Sequence, residues 1–163
     1  MWWSDARSLA LAFVAVLLAG CGFHLQGTVG LPEGLRSVYV STSDELSPFA
    51  VELRNGLERS GASLATAAGT ADAVIRISDD RTGRRVLSVS ARNTPQEFEV
   101  YYSVVFSIDR GGREAVAAQR LDLTRYFTFD ESQLLAKGRE EALLREAMAR
   151  DLTDLVLRRL GSL

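Results

Sequence analysis

The chain has 163 residues, 47% hydrophobic and 25% charged, with a formal net charge of −2 at pH 7. That length suits one domain, able to bury a core without disulfides or metals. Nineteen basic side chains face 21 acidic ones, and there is one cysteine and one histidine, which argues against nucleic-acid binding, a disulfide framework and a clustered metal site.

At the N-terminus, Arg7 precedes an apolar block of eleven residues, Leu9–Ala19, with Trp2, Trp3 and Asp5 making the leading segment less cationic than usual. A membrane-spanning helix needs about 20 such residues, whereas a secretory h-region takes roughly 7–15. The expectation is a cleaved signal peptide over residues 1–20; an N-terminal core helix with a buried cysteine is the alternative. Leu18-Ala19-Gly20-Cys21 resembles the lipobox of bacterial lipoproteins. The resemblance implies that Cys21 is the lipid-attachment site and first residue of the mature chain, its thiolate supplying the nucleophile. Several acyl chains on one residue make anchoring stable where a single chain does not. Gly22 follows where an aspartate would retain such a protein in the inner membrane, which favours the outer membrane. Removal of residues 1–20 leaves 143 residues with 18 basic and 20 acidic side chains.

Residues 21–34 form a polar, glycine-containing lead, and residues 35–163 form a single α+β domain. Arg36–Thr42 alternates and is β-branched, a first strand. Ser47-Pro48 opens a helix carrying Phe49, Ala50, Leu53 and Leu57 on one stripe, and Ser60-Gly61 closes it. Residues 62–71 read as a loop. A second strand spans Asp72–Ser78, a turn Asp79–Gly83, a third strand Arg84–Ala91 and another turn Arg92–Pro95. Phe98, Val100, Tyr102, Val104, Phe106 and Ile108 then alternate with more polar residues, which argues for a long antiparallel strand with one buried side. Asp109–Arg113 is a hairpin connection, and the returning strand reaches about Phe129.

The last element follows Asp130-Glu131-Ser132 and runs to Leu160, with Gly138 as a possible break. Leu144, Met148, Leu152, Leu155 and Val156 lie within about 120° of one another, the stripe of an amphipathic helix. Leu143 and Leu157 fall off it, as candidates for partner contact or secondary core packing. The order is β-α-β-β-β-β-α: a mostly antiparallel or mixed sheet of four to five strands, packed on one face by two helices.

Catalytic machinery is hard to assemble from these residues. Cys21 is taken by the anchor, and His24 lies three residues beyond it, so no nucleophile–base pair or metal cluster forms. Asp79 and Asp80 read as solvated turn residues, and Gly111-Gly112 lacks the lysine and helix of a phosphate loop. No cofactor motif occurs and the protein is expected not to be an enzyme. Arg81, Arg84, Arg85 and Arg92 flank strand ends, while Tyr101 and Tyr126 sit out of phase with the core. These residues are equally a solvated sheet face with edge-protecting charges or a partner surface.

Four stretches carry a further resemblance: Cys21-Gly-Phe-His-Leu with Leu31-Pro-Glu-Gly-Leu35, the Arg92-Asn93 turn, Tyr126–Asp130 leading into Leu135-Ala-Lys137, and the final helix Arg139–Leu160. In their order and spacing they resemble the LptE family of lipopolysaccharide-assembly lipoproteins. The resemblance implies a lipid-anchored protein at the periplasmic side of the cell outer membrane, seated as a plug inside an LptD-type β-barrel. It also implies lipopolysaccharide binding, with Arg92 and Lys137 at the matching positions. Arginine offers a fork of donors to lipid A phosphates and lysine a point charge. Thr94-Pro95 stands where the resemblance leads one to expect a more glycine-like turn. A periplasm-facing lipid carrier or chaperone without a barrel partner is the second reading. It requires an apolar cavity that Phe98, Tyr102 and Phe106 are large enough to fill. A hydrolase on an unfamiliar scaffold is the third, disfavoured by the lack of a base.

Overall fold

A computed structural model of the chain describes residues 30–32, 34–129 and 134–163. The expected signal peptide, Cys21, Gly22 and His24 lie outside them. The elements are β1 (Ser37–Ser41), α1 (Pro48–Arg59), β2 (Ser63–Leu64), a 3-10 turn (Ala68–Thr70), β3 (Ala73–Val89), β4 (Pro95–Arg110), β5 (Arg113–Thr128) and α2 (Leu134–Gly161). They build one five-stranded sheet in the order β2-β1-β3-β4-β5. β1 runs parallel to both its neighbours, and β3, β4 and β5 form an antiparallel meander. The α+β class and the two-helix layer agree with the sequence reading.

Local chemistry explains the elements. Ser47 caps α1 by accepting the Ala50 N–H at 3.0 Å, and Pro48 occupies the first helical turn, where no N–H is needed. At the other end Gly61 N–H reaches the Glu58 carbonyl at 2.9 Å and Ala62 N–H the Leu57 carbonyl at 3.0 Å. That is the paired closure of a Schellman cap, for which Gly61 adopts φ 88°. Asp72 fastens β1 beside β3: its Oδ2 accepts the N–H groups of Arg36 and Ser37, both at 2.9 Å. These donors hold the carboxyl below its ordinary 3.8, the Arg36 N–H foremost, then the Ser37 N–H and hydroxyl.

The helices cover one sheet face and the core lies between. Phe98, Val100, Tyr102, Val104, Phe106 and Ile108, the apolar register of β4, are all buried. On α2, Met148, Leu152 and Val156 are buried, and so is Leu157, while Leu143 is exposed. Leu157 is inside because the helices cross closely at Gly56. A Cβ there would lie 2.8 Å from Thr153 Cγ2 and 3.0 Å from Leu157 Cδ1.

Three expectations change. Asp79–Gly83 is not a turn: β3 is continuous from Ala73 to Val89, and Asp79 to Gly83 pair one for one with Val105 to Tyr101. Instead of reversal there is a bulge at Ser78, where the register steps from Ile77/Phe106 to Asp79/Val105. The polar run survives as strand because its side chains find partners: Asp79 pairs with Arg81, Asp80 accepts the Ser47 hydroxyl, and the Thr82 hydroxyl donates to the Tyr101 carbonyl at 2.9 Å. The stretch 62–71 contains β2, which pairs Ser63 with Ser37 and Leu64 with Val38. The element string is therefore preserved with different members. Finally, Gly138 does not interrupt α2, a single helix of 28 residues.

The predicted reversals at Arg92–Pro95 and Asp109–Arg113 are present. In the second, Arg110 pairs with Arg113 across Gly111 and Gly112, at φ 57° and 75°, the handedness a two-residue hairpin loop requires.

Candidate functional site

Arg92 sits in the turn joining β3 to β4, held by its neighbours. Ser90 N–H donates to the Thr94 carbonyl at 2.8 Å, Asn93 N–H to the Ser90 carbonyl at 2.9 Å, and Ser90 Oγ lies 2.6 Å from Thr94 Oγ1. The Arg92 and Thr94 N–H groups both reach Ser90 Oγ at 3.2 Å. Asn93 takes φ 61°, supplying the left-handed residue that the sequence lacks as a glycine. Thr94 is thus a tie within the turn and Pro95 the first residue of β4. Among the described residues the Arg92 guanidinium has no ion-pair partner.

Lys137 lies in the first turns of α2, mostly buried, with Nζ 2.8 Å from Glu140 Oε2. One turn on, the buried Glu141 anchors this end of the helix to the sheet. It accepts Arg84 Nη1 at 2.6 Å, across 57 residues of sequence, and is also paired with Arg145. Arg84 in turn lies 4.8 Å from the centroid of Phe98, which stacks on Phe127 at 5.6 Å and meets Phe129 edge-on at 5.2 Å. Arg92 and Lys137 consequently share one end of the molecule. One is at the hairpin tip, the other on the helix that overlies Arg84 and Phe98. No local pattern marks Glu141 as their organiser, because its partner is remote in sequence.

Along the core face of the hairpin, cover thins toward that tip. Tyr102 and Val100 are 0% exposed and Phe98 7%, but Val86, paired with Phe98, is 47% exposed. Leu87 and Val89 are likewise half-exposed, at 48% and 52%.

The other face of β3–β5 carries alternating charge. Arg81 pairs with Asp79 at 2.6 Å, Arg85 with Glu99 at 2.5 Å and Arg120 with Asp122 at 2.9 Å. Tyr101 lies across Gly83, where a Cβ would sit 2.5 Å from the phenol oxygen. Beside it is a shallow depression of about 350 Å³ lined by Arg81, Arg85, Tyr101, Arg120 and Asp122. Tyr126, on the same face, is exposed. The arginines are not alike: Arg81 and Arg85 belong to this open face, Arg84 to the core face.

Asp80 was missed as a structural residue. It faces the core opposite Val104, where the Ser47 hydroxyl donates to it at 2.5 Å. The Tyr102 hydroxyl faces the same carboxylate and accepts the Phe49 N–H at 3.0 Å. Burial raises the Asp80 carboxyl above 3.8, against the lowering by both hydroxyls. Burial, and then the Asp80 charge, push the Tyr102 phenol up. This cluster serves the helix start and offers no open face for a substrate. Among the described residues no group of His, Cys, Asp and Glu could hold a metal ion, and no helix is long and apolar enough to cross a membrane. Phe98, Tyr102 and Phe106 are buried between sheet and helices, in the space a lipid carrier would need as a cavity.

The profile of a family described as LptE, lipopolysaccharide-assembly, matches residues 35–160. This chain belongs to the LptE family. The LPS-assembly lipoprotein LptE of Pectobacterium atrosepticum is 25% identical over 156 residues, covering 94% of this chain and 83% of that protein. The protein of the same name from Photorhabdus laumondii is 25% identical over 154 residues, covering 94% and 84%. Among solved structures, lipoprotein B of Nitrosomonas europaea superposes with a TM-score of 0.72 at 28% identity, over 86% of this chain and 91% of that one. The rare lipoprotein B of Shewanella oneidensis gives 0.67 at 27% identity, over 78% and 95%. Membership in LptE makes this an envelope lipoprotein family member with a role in lipopolysaccharide assembly.

Proposed function

We propose that this protein is a lipid-anchored subunit of the outer-membrane lipopolysaccharide translocon, attached through Cys21 after removal of residues 1–20. In this reading residues 21–34 are the tether, and the domain from residue 35 plugs an LptD-type β-barrel from the periplasmic side. The family match across residues 35–160 carries the reading. The open face of β3–β5 supports it. Barrel lumens are polar, and a charge-balanced sheet face dotted with Tyr101 and Tyr126 is suited to such a wall.

Within this role Arg92 and Lys137 bind lipopolysaccharide. Support comes from their shared end of the molecule and from the Arg92 guanidinium, which has no ion-pair partner among the described residues and sits on a hydrogen-bonded turn, ready for a multiply charged phosphate. Lys137 exchanges Glu140 for the ligand. A tag after Leu163 tests the plug: gentle solubilisation of the envelope is expected to bring down a large β-barrel protein, identified by mass. Recovery of a free monomer would sink that reading. Arg92→Glu with Lys137→Glu is expected to weaken lipopolysaccharide binding while the fold persists; unchanged binding removes the site and leaves the plug.

A further inference from the structure

We infer that the tip of the β3–β4 hairpin is an acyl-chain contact: Val86, Leu87 and Val89 take the hydrocarbon of an anionic amphiphile whose headgroup sits at Arg92. The inference rests on the lipopolysaccharide reading above and adds to it the part of the ligand that cations cannot hold. Large exposed apolar side chains are concentrated here. Val86, Leu87 and Val89, within four residues of one strand end, are 47%, 48% and 52% exposed, beside the turn that carries Arg92. Register shifts between Val86 and Ser88 and between Ser88 and Val89 place Leu87 outside regular pairing and break the alternation that would have set Val86 on one face and Leu87 and Val89 on the other. Exposed apolar clusters of this kind mark interaction surfaces.

Charge decides among occupants. A free phosphate would satisfy Arg92 and leave three apolar side chains in water, whereas an uncharged hydrocarbon would cover those and offer Arg92 no anion. A second copy of the chain, tip to tip, would bring Arg92 against its own counterpart. An amphiphile with a negative headgroup meets both requirements.

The test uses the full chain with lipopolysaccharide and, separately, the same lipopolysaccharide stripped of its acyl chains. The parent is expected to prefer the acylated form by about tenfold or more. The Val86→Ser/Leu87→Ser/Val89→Ser variant should lose that preference while binding the stripped form as the parent does. Arg92→Glu should weaken both forms alike. A parent without preference, or a triple variant that keeps it, overturns the inference. Near-ultraviolet circular dichroism of the Phe98–Phe127 stack checks the fold, and Leu87→Ser alone gives the same comparison if the triple variant unfolds. If the parent binds neither form, the lipopolysaccharide reading fails, and lysophosphatidylglycerol becomes the deciding probe. Its binding by the parent and loss in the triple variant sustains the acyl contact; no binding by the parent overturns it.

Discussion

Ser47, Asp80 and Tyr102 tie the first turn of α1 to the sheet. The Phe49 and Ala50 N–H groups, which have no partner inside the helix, go to the Tyr102 and Ser47 oxygens, and both hydroxyls face one carboxylate. Because burial raises the Asp80 pKa, the folded chain keeps its proton in a window that opens at 3.8 and extends upward, where the unfolded chain has released it. The folded state then binds more protons, so this residue's contribution falls as pH rises through the window. Asp80→Asn removes the titration. Urea midpoints should show the variant gaining on the parent as pH rises and levelling off above the folded pKa; parallel curves would sink the assignment. Asp72 has the opposite sign. Its carboxyl is lowered, so its contribution is present above 3.8 and lost as pH falls through the folded value.

Among elements, the α1–α2 crossing depends on one missing methyl. Glycine inside a helix costs about 1 kcal/mol relative to alanine, so propensity alone would favour Gly56→Ala. The contact at 2.8 Å with Thr153 Cγ2 opposes it, since Thr153 is fully buried and the methyl belongs to a stiff, β-branched side chain. Overpacking of this kind costs about 1–3 kcal/mol, and crowding is expected to win. Gly56→Ala should lower the urea midpoint, and Thr153→Ser, which deletes that methyl, should restore part of the loss in the double variant. A stabilised single variant would show that the helices separate without cost. The α2 start depends on Glu141 in a similar way, through an ion pair and a cation–π contact that only the assembled sheet brings to it.

For the whole molecule, the helices leave one face of a long sheet bare and stop short of its tip. β3 extends about 55 Å at roughly 3.3 Å per residue, and α2 about 42 Å at 1.5 Å per residue. The domain therefore presents a polar face and a cation-and-apolar end, the surfaces on which the proposed plug role draws. Its tether is testable independently. Cys21→Ser is expected to block lipid attachment and change both processing and membrane fractionation of the chain; an unaltered pattern of precursor and mature protein in the same membrane fraction would remove the anchor from the proposal.

The residues alone determined the parts governed by local periodicity and punctuation. The strict alternation of β4, the Ser47-Pro48 opening of α1, the Gly111-Gly112 hairpin and the stripe of Met148, Leu152 and Val156 each follow from one short stretch, whereas roles for Arg92 and Lys137 are implied only by the family resemblance. Tertiary structure decided whatever depends on a remote partner. Asp79–Gly83 reads as a turn in isolation and is strand because Val105–Tyr101 offer a continuous ladder and Asp80 finds two hydroxyls in the core. Leu157 is buried because Gly56, about a hundred residues earlier in chain order, leaves room for it. Hydrogen bonds and packing forces act across space, so side chains whose roles depend on the far end of the chain carry no local mark of them.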